Sequence, residues 1–383
     1  MFLALRDLRF ATGRFALMGS VVALISLLLV MLSGLTAGLG GQNTAAIDRL
    51  GEQGVQRLVF DGAAGQEPTA SFTQSEFTVA QRDAWAATDG VASVEPLGVS
   101  QGRAIGLEHP VDTDPQGRAD VSGEPTTGVA TTAFIGLTPG GSDAPAGVEL
   151  GQIVLSQDVA DSLHAQAGDA VAVSGFVYTV ADVVPTEYYS HSPVTWLALE
   201  DWNAISHTAD DAVLGTAGLV RFDAGADVDA VAAAGDDAAG TVAETVKGSY
   251  AALPSYRSEN GSLMTMQGFL YGISALVVIA FLSIWTVQRT RDIAVLKALG
   301  GSNGWVLKDS LAQAAFVLVG GVAVGTGLAA VIGAFAGRAV PFELSWATTA
   351  VPAAGVLVLG MLAAVIAVYR VTRIDPLVAL GGN

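Results

Sequence analysis

Four stretches of the chain, residues 15–47, 260–288, 310–337 and 344–369, carry no charged side chain and are close to continuously apolar. Each exceeds the roughly 20 helical residues, at about 1.5 Å apiece, that cross about 30 Å of hydrocarbon. The pattern predicts transmembrane helices at 15–44, 259–288, 310–337 and 347–369, with a short outer loop at 338–346. The first stretch is longer than the roughly 7–15 apolar residues of a cleavable leader and is expected to be retained as a helix. Before it, Phe2, Leu3, Leu5, Leu8 and Phe10 alternate with Arg6, Asp7, Arg9 and Arg14 at helical spacing, so residues 1–14 are expected to form an interfacial helix.

The segment 45–258 has a different texture. Residues 170–184 alternate at Val171, Val173, Phe176, Tyr178 and Val180 around Ser174-Gly175, which predicts a β-hairpin. Residues 157–166 have helical spacing, with Ser156 as the expected start and Gly168 as the stop. A strand is expected at 55–60, a helix at 78–88 and a loop at 138–147. Residues 289–309 then form a connector in which Ile293, Val295, Leu296 and Leu299 face away from Arg291, Asp292 and Lys297. That is a short amphipathic helix with Gly300 as its C-cap. The fold class that follows is membrane α-helical: four transmembrane helices, with an α+β extracytoplasmic domain inserted between helices 1 and 2, and a tail at 370–383.

Charge orients the helices. The segments expected on the side of the termini hold nine cations (Arg6, Arg9, Arg14, Arg289, Arg291, Lys297, Lys308, Arg370, Arg373) and four acids (Asp7, Asp292, Asp309, Asp375). Of the chain's 18 cations and 36 acids, the other side keeps nine and 32, a net of −23. The positive-inside rule places both termini in the cytoplasm of a multi-pass protein of the plasma membrane. A net of −23 repels phosphate and excludes nucleic acid as a partner; the acid is expected to solubilise the outer domain. Charged residues are 14% of the chain, against about 25% in soluble domains. With no cysteine, disulfides and thiolate chemistry are excluded. The four histidines (109, 164, 191, 207) are scattered, and no Ser/His/Asp set suggests catalysis; no enzyme activity and no intrinsic cofactor are expected of this chain.

The segment Arg291-Asp292-Ile293-Ala294-Val295-Leu296-Lys297-Ala298-Leu299-Gly300 resembles the coupling helix of the FtsX/MacB-like permeases of ABC transporters. Arg373-Ile374-Asp375-Pro376-Leu377-Val378-Ala379-Leu380 is similar to that family's ending, Ala4-Leu5-Arg6-Asp7-Leu8-Arg9 to its N-terminal helix, and residues 153–184 to its periplasmic core. One span, a large outer domain and three further spans is the family's layout. The resemblance implies a homodimeric permease bound to two copies of a cytoplasmic ABC ATPase. That partner would carry ATP and Mg, since this chain has no Gly-x-x-x-x-Gly-Lys-[Ser/Thr] loop. Arg291, Asp292, Val295, Leu296, Lys297, Leu299 and Gly300 would take the push of ATP-driven closure, and the second span would pass it to the outer domain.

The opening residues 1–15 look closest to the haem-efflux permeases of Gram-positive bacteria, the HrtB type, which implies haem, drawn from membrane lipid, as the transported ligand. Haem iron takes an axial Met, His, Tyr, Cys or carboxylate. Counted from Phe15, Met31 lies about 24 Å along the first helix. Met264 and Met266 lie near the outer end of the second, with Glu259 just above. These four residues converge on one depth and are the expected substrate site; Tyr256, Tyr271 and Arg257 are lesser candidates. Gly34 and Gly38 share the Met31 face as a Gly-x-x-x-Gly pair suited to close helix approach, which suggests a slot between two copies of the first and second helices. Methionine in a membrane helix also serves as plain apolar filler. Two other functions fit the same scaffold: export of another amphiphile (a macrolide, peptide or lipid-linked molecule), or mechanical regulation of a cell-wall hydrolase without transport.

Overall fold

The computed structural model describes residues 12–61, 68–206, 212–288 and 303–372. It divides into two compact units, one of residues 1–39 and 260–383, the other of residues 40–259. The interfacial helix expected at 1–14 falls almost wholly outside the described residues.

Among the described residues, four helices are long and apolar enough to cross a membrane: α1 (Thr12–Glu52), α6 (Pro254–Gln288), α7 (Asn303–Ala336) and α8 (Trp346–Thr372). All four extend past the expected span limits, α7 starting at Asn303 and α8 running to Thr372. Helix α1 runs on to Glu52 because Ala46, Ile47 and Leu50 are fully buried in the core of the second unit, so tertiary packing carries the helix past the end of its charge-free run. Helix α6 begins five residues early, at Pro254, where proline's missing N–H is no loss. In the membrane unit, Phe15, Met18, Val22, Ile25 and Leu29 form one stripe of α1 at spacings of three and four. That stripe packs on residues of the other three helices, such as Val278, Leu318 and Val356.

Glycine sets the closest approaches here. A Cβ on Gly325 of α7 would lie 2.9 Å from Cβ of Ser26, and one on Gly321 2.9 Å from Cβ of Val22. The Gly321-x-x-x-Gly325 pair therefore lets α7 lie directly on the backbone of α1. On α8, Gly355 makes room for the ring of Tyr271 and Gly360 for Leu318.

The inserted unit holds β1 (Arg57–Phe60), β2 (Phe77–Thr78), α2 (Val79–Ala86), β3 (Val91–Leu107), β4 (Thr126–Leu137), β5 (Gln152–Ser156), α3 (Gln157–Leu163), β6 (Ala170–Val173), β7 (Phe176–Val184), β8 (Tyr188–Tyr189), β9 (Ser192–Ala198), α4 (Leu199–Ser206), β10 (Val213–Gly215), β11 (Ala217–Phe222), α5 (Val228–Ala239) and β12 (Val242–Thr245). The main sheet runs β12-β1-β11-β3-β4-β9-β5-β7-β6, with β8 paired to β9, and a further β3–β6 pairing closes six of these strands into a ring. The long β3 serves three neighbours: its first half pairs with β11, and its second half with β4 on one side and, at Ala104 to Gly106, with β6 on the other. Two glycine pairs face each other across β3 and β4, Gly98 with Gly136 and Gly106 with Gly128. Helices land there. Trp202 of α4 covers the first pair, with each added Cβ 2.8 Å or less from its ring, and Leu163 of α3 covers the second.

The expected hairpin is present as β6 and β7, and its Ser174-Gly175 turn has φ of 50° and 83°, the two positive values of a type I′ turn. Helix α3 ends sooner than its spacing suggested. His164 takes the left-handed conformation (φ 52°) and closes it, while Ser156 makes no side-chain cap bond; its hydroxyl donates instead to the carbonyl of Val194.

Candidate functional site

Within the membrane unit, α1, α6 and the end of α7 border a recess of about 590 Å³ lined by leucine, methionine, phenylalanine, valine and alanine side chains alone. That volume lies within the roughly 300–1,000 Å³ of small-molecule sites. Met31 from α1 and Met266 from α6 both face it. Beside these two, the amide of Gln267 donates to the hydroxyl of Thr36 at 3.1 Å, an interhelical bond that fixes α6 against α1.

The remaining wall comes from the connection between α7 and α8, as Val340 and, beyond it, Phe342. Its ring occupies space that two glycines vacate: a Cβ on Gly34 of α1 would lie 2.6 Å from Cε2 of Phe342, and one on Gly333 of α7 2.5 Å from Cε1. The backbone on either side is pinned. The amide of Glu343 donates to the carbonyl of Gly34 at 3.0 Å, and the hydroxyl of Thr348 donates to the carbonyl of Glu343 at 3.0 Å. A Cβ on Gly38 would meet the carbonyl carbon of Pro341 at 2.5 Å. The Gly34/Gly38 face, expected to receive a helix from a second copy, is thus filled by Pro341 and Phe342 of the same chain.

Met264 does not line this recess and is 58% exposed. Two residues along a helix lie about 200° apart, so Met264 and Met266 share a depth but not a face. Glu259 belongs to the inserted unit, where its carboxylate faces His191 Nε2 at 2.9 and 3.0 Å and accepts from the Asn43 amide at 3.3 Å. Ser255 donates to Asn43 Oδ1 at 2.7 Å and exchanges a hydrogen bond with Ser190 at 2.9 Å. The backbone amides of Ser190 and His191 donate to the carbonyls of Asn43 and Gln42. Ser190 and His191, with φ of 47° and 64°, are the two-residue turn between β8 and β9. This turn therefore ties the outer part of α1 to the start of α6. A second tie lies alongside: the Tyr250 hydroxyl and the Thr44 hydroxyl both donate to Asp48, and Tyr250 meets Tyr256 edge-on, with ring centroids 5.4 Å apart. Sequence reasoning missed His191 and Asn43, whose partners lie 68 to 216 residues away. Tyr271 packs on α8 at Gly355.

A second apolar recess, of about 510 Å³, lies between Phe15, Gly19 and Ala23 of α1 and Phe316, Gly320 and Val324 of α7. None of its lining side chains can ligate iron. Among the described residues no three His, Cys, Asp or Glu side chains come together as a metal site. The expected coupling residues Arg291, Asp292, Val295, Leu296, Lys297, Leu299 and Gly300 lie outside the described residues.

Residues 264–376 match the FtsX-like permease C-terminal domain. The chain carries an FtsX-like permease domain. Its matched region covers α6, the connector, α7 and α8, and so includes Met266 and Phe342. Among known proteins, the chain is similar to a protein described as the hemin transport system permease HrtB of Staphylococcus haemolyticus, 29% identical over 130 residues, covering 34% of this chain and 37% of that one. It is also similar to the ABC transporter permease YknZ of Bacillus subtilis, 29% identical over 126 residues and 31% of each chain. The matches thus span about a third of these relatives' length. Among solved structures, the extracellular domain of YknZ gives a TM-score of 0.32 at 15% identity, covering 48% of this chain and 95% of that one. Among the described residues the chain joins four candidate membrane helices to an inserted α+β unit.

Proposed function

We propose that this chain is the permease subunit of an ATP-driven ABC efflux pump and that it exports haem taken from the membrane. The observation that carries the reading is the wholly apolar recess between α1 and α6 with two thioethers, Met31 and Met266, on its wall. Haem is flat and largely apolar, partitions into bilayers, and accepts methionine sulfur as an axial ligand. Similarity to HrtB of Staphylococcus haemolyticus, a hemin transport system permease, supports the same cargo. Met31 and Met266 are the proposed contacts. Glu259, held by His191 and Asn43, takes a structural part in this reading, and Met264 faces away from the recess.

The chain works as a homodimer with two copies of a cytoplasmic ATPase that holds ATP and Mg. Both termini lie in the cytoplasm and the acidic domain outside the cell. Closure of the ATPase pushes the segment Arg291–Gly300, whose Arg291, Asp292, Val295, Leu296, Lys297, Leu299 and Gly300 are the proposed coupling residues, and α6 carries the push outward. The ties of Asn43, Ser255, Glu259 and His191 join α1 and α6 within the inserted unit, so movement of one helix end there moves the other. No covalent chemistry is assigned to this chain. The test is ATP hydrolysis by the reconstituted complex in proteoliposomes: haemin stimulates it, and a macrolide or an unrelated amphipathic peptide does not. Stimulation by those compounds and not by haemin would replace haem with another amphiphile. Indifference to all of them, together with capture of a cell-wall hydrolase by the outer domain, would favour the non-transporting role.

A further inference from the structure

The connection between α7 and α8 places one aromatic ring at the edge of the recess, and the surrounding residues make that placement specific. Phe342 is only partly buried, although it sits in a slot formed by two glycines on two different helices. An ordinary core phenylalanine is enclosed by side chains. This one instead has bare backbone on two sides and the recess on another. Its main chain is fixed by the Glu343–Gly34 hydrogen bond and the Thr348–Glu343 bond, so the backbone stays while the ring keeps its side-chain torsions. At Gly34 and Gly333 any side chain would overlap the ring in its present rotamer. The recess borders the ring on another side and leaves room into which it can be displaced.

We infer that Phe342 is the movable wall of the Met31/Met266 recess and sets the size of the apolar ligand it admits. This rests on the recess being the substrate site. A ligand that needs more room displaces the ring, and the apparent affinity falls by the fraction of time the ring stands aside. Two consequences separate this role from simple packing. Affinity follows the size of residue 342, and a change at Gly34 acts through the ring rather than through the helix.

The test uses the full chain in lipid nanodiscs, titrated with haemin by Soret absorbance and with metal-free protoporphyrin IX by fluorescence. Phe342→Ala binds either probe about tenfold more tightly, a change of about 1.4 kcal/mol, with Phe342→Leu between it and wild type. Gly34→Ala, which drives the ring into the recess, binds more weakly by a similar factor. The double variant Gly34→Ala/Phe342→Ala returns to the affinity of Phe342→Ala, because the added methyl then meets no ring; this non-additivity is the signature of direct coupling. The leucine variant keeps an apolar side chain in the slot and guards against a result due to misfolding. A double variant as weak as Gly34→Ala alone, or affinities within about twofold across the series, would overturn the inference. Haemin binding that is lost with Met31→Ala/Met266→Ala but indifferent to residue 342 removes the wall and leaves the site standing. Binding indifferent to both sets, or absent even from Phe342→Ala, contradicts the wall and the site together.

Discussion

Replacing Glu259 with alanine separates a ligand role from a structural one. In the structure its carboxylate faces His191 Nε2 and accepts from the amide of Asn43. The His191 and Glu259 side chains are 31% and 40% exposed, so their interaction is screened and worth about 0.2–1 kcal/mol. Asn43 is 1% exposed, and loss of an acceptor for its amide costs about 1 kcal/mol, the net value of one hydrogen bond. Its amide also lies 3.1 Å from His191 Nε2, which can turn acceptor once the carboxylate is gone and keeps the loss at the low end. Together these give about 1–2 kcal/mol. For a domain of roughly 150–250 residues each kcal/mol lowers Tm by about 2–4 °C, so thermal unfolding of the full chain in detergent should show a drop of about 2–8 °C. Haemin affinity in the same preparation should stay within about twofold, or about 0.4 kcal/mol. An unchanged Tm with the Soret band abolished would refute this reasoning and make Glu259 an iron ligand.

Other outcomes follow from the same geometry. Gly136→Ala places a methyl against Trp202 and should destabilise the inserted domain by about 1–3 kcal/mol, the usual cost of overpacking, read by chemical denaturation. Gly325→Val should separate α7 from α1, because even a Cβ there meets Ser26 and the backbone of Ala23; loss of a monodisperse peak in size-exclusion chromatography is the readout. Burial raises the pKa of Glu187, of Asp201 and of Asp236, whose neighbours Asp237 and Glu244 raise it further. A raised carboxyl binds protons more tightly folded than unfolded, so its contribution is complete below the ordinary value near 4 and is lost as pH rises through the native one. Tm should therefore rise when the protein is moved from pH 7.5 to pH 5; a fall across that interval would contradict the assignment.

The hairpin at 170–184 was legible because burial alternates along β7, where Phe176, Tyr178 and Val180 are buried and Val177 and Thr179 are not, and because Ser174-Gly175 is a strong turn signal. Strands β3 and β4 were not legible. Their alternation is broken by Gly98, Gly106, Gly128 and Gly136, which are glycine because Trp202 and Leu163 occupy the space where side chains would stand. The four membrane helices were readable from length and charge alone, but helix α1 ends at Glu52 for reasons of tertiary packing. Counting residues along the helices set an expected depth for Met31, Met264 and Met266 but not which way each points, and of the three only Met31 and Met266 reach the recess. The small-residue face at Gly34 and Gly38 correctly signalled a close approach. Its occupant, Pro341-Phe342, comes from more than 300 residues away, and nothing local to either segment marks the pairing.

Haemin titration of the wild-type chain and of Met31→Ala/Met266→Ala, side by side in nanodiscs with Soret and near-infrared absorbance recorded together, tests the central proposal most directly. The account predicts a saturable, shifted Soret band in wild type, with the sulfur-to-iron charge-transfer feature of methionine ligation, and loss of both in the double variant. A wild-type spectrum that the double variant reproduces unchanged would contradict the placing of the cargo between α1 and α6.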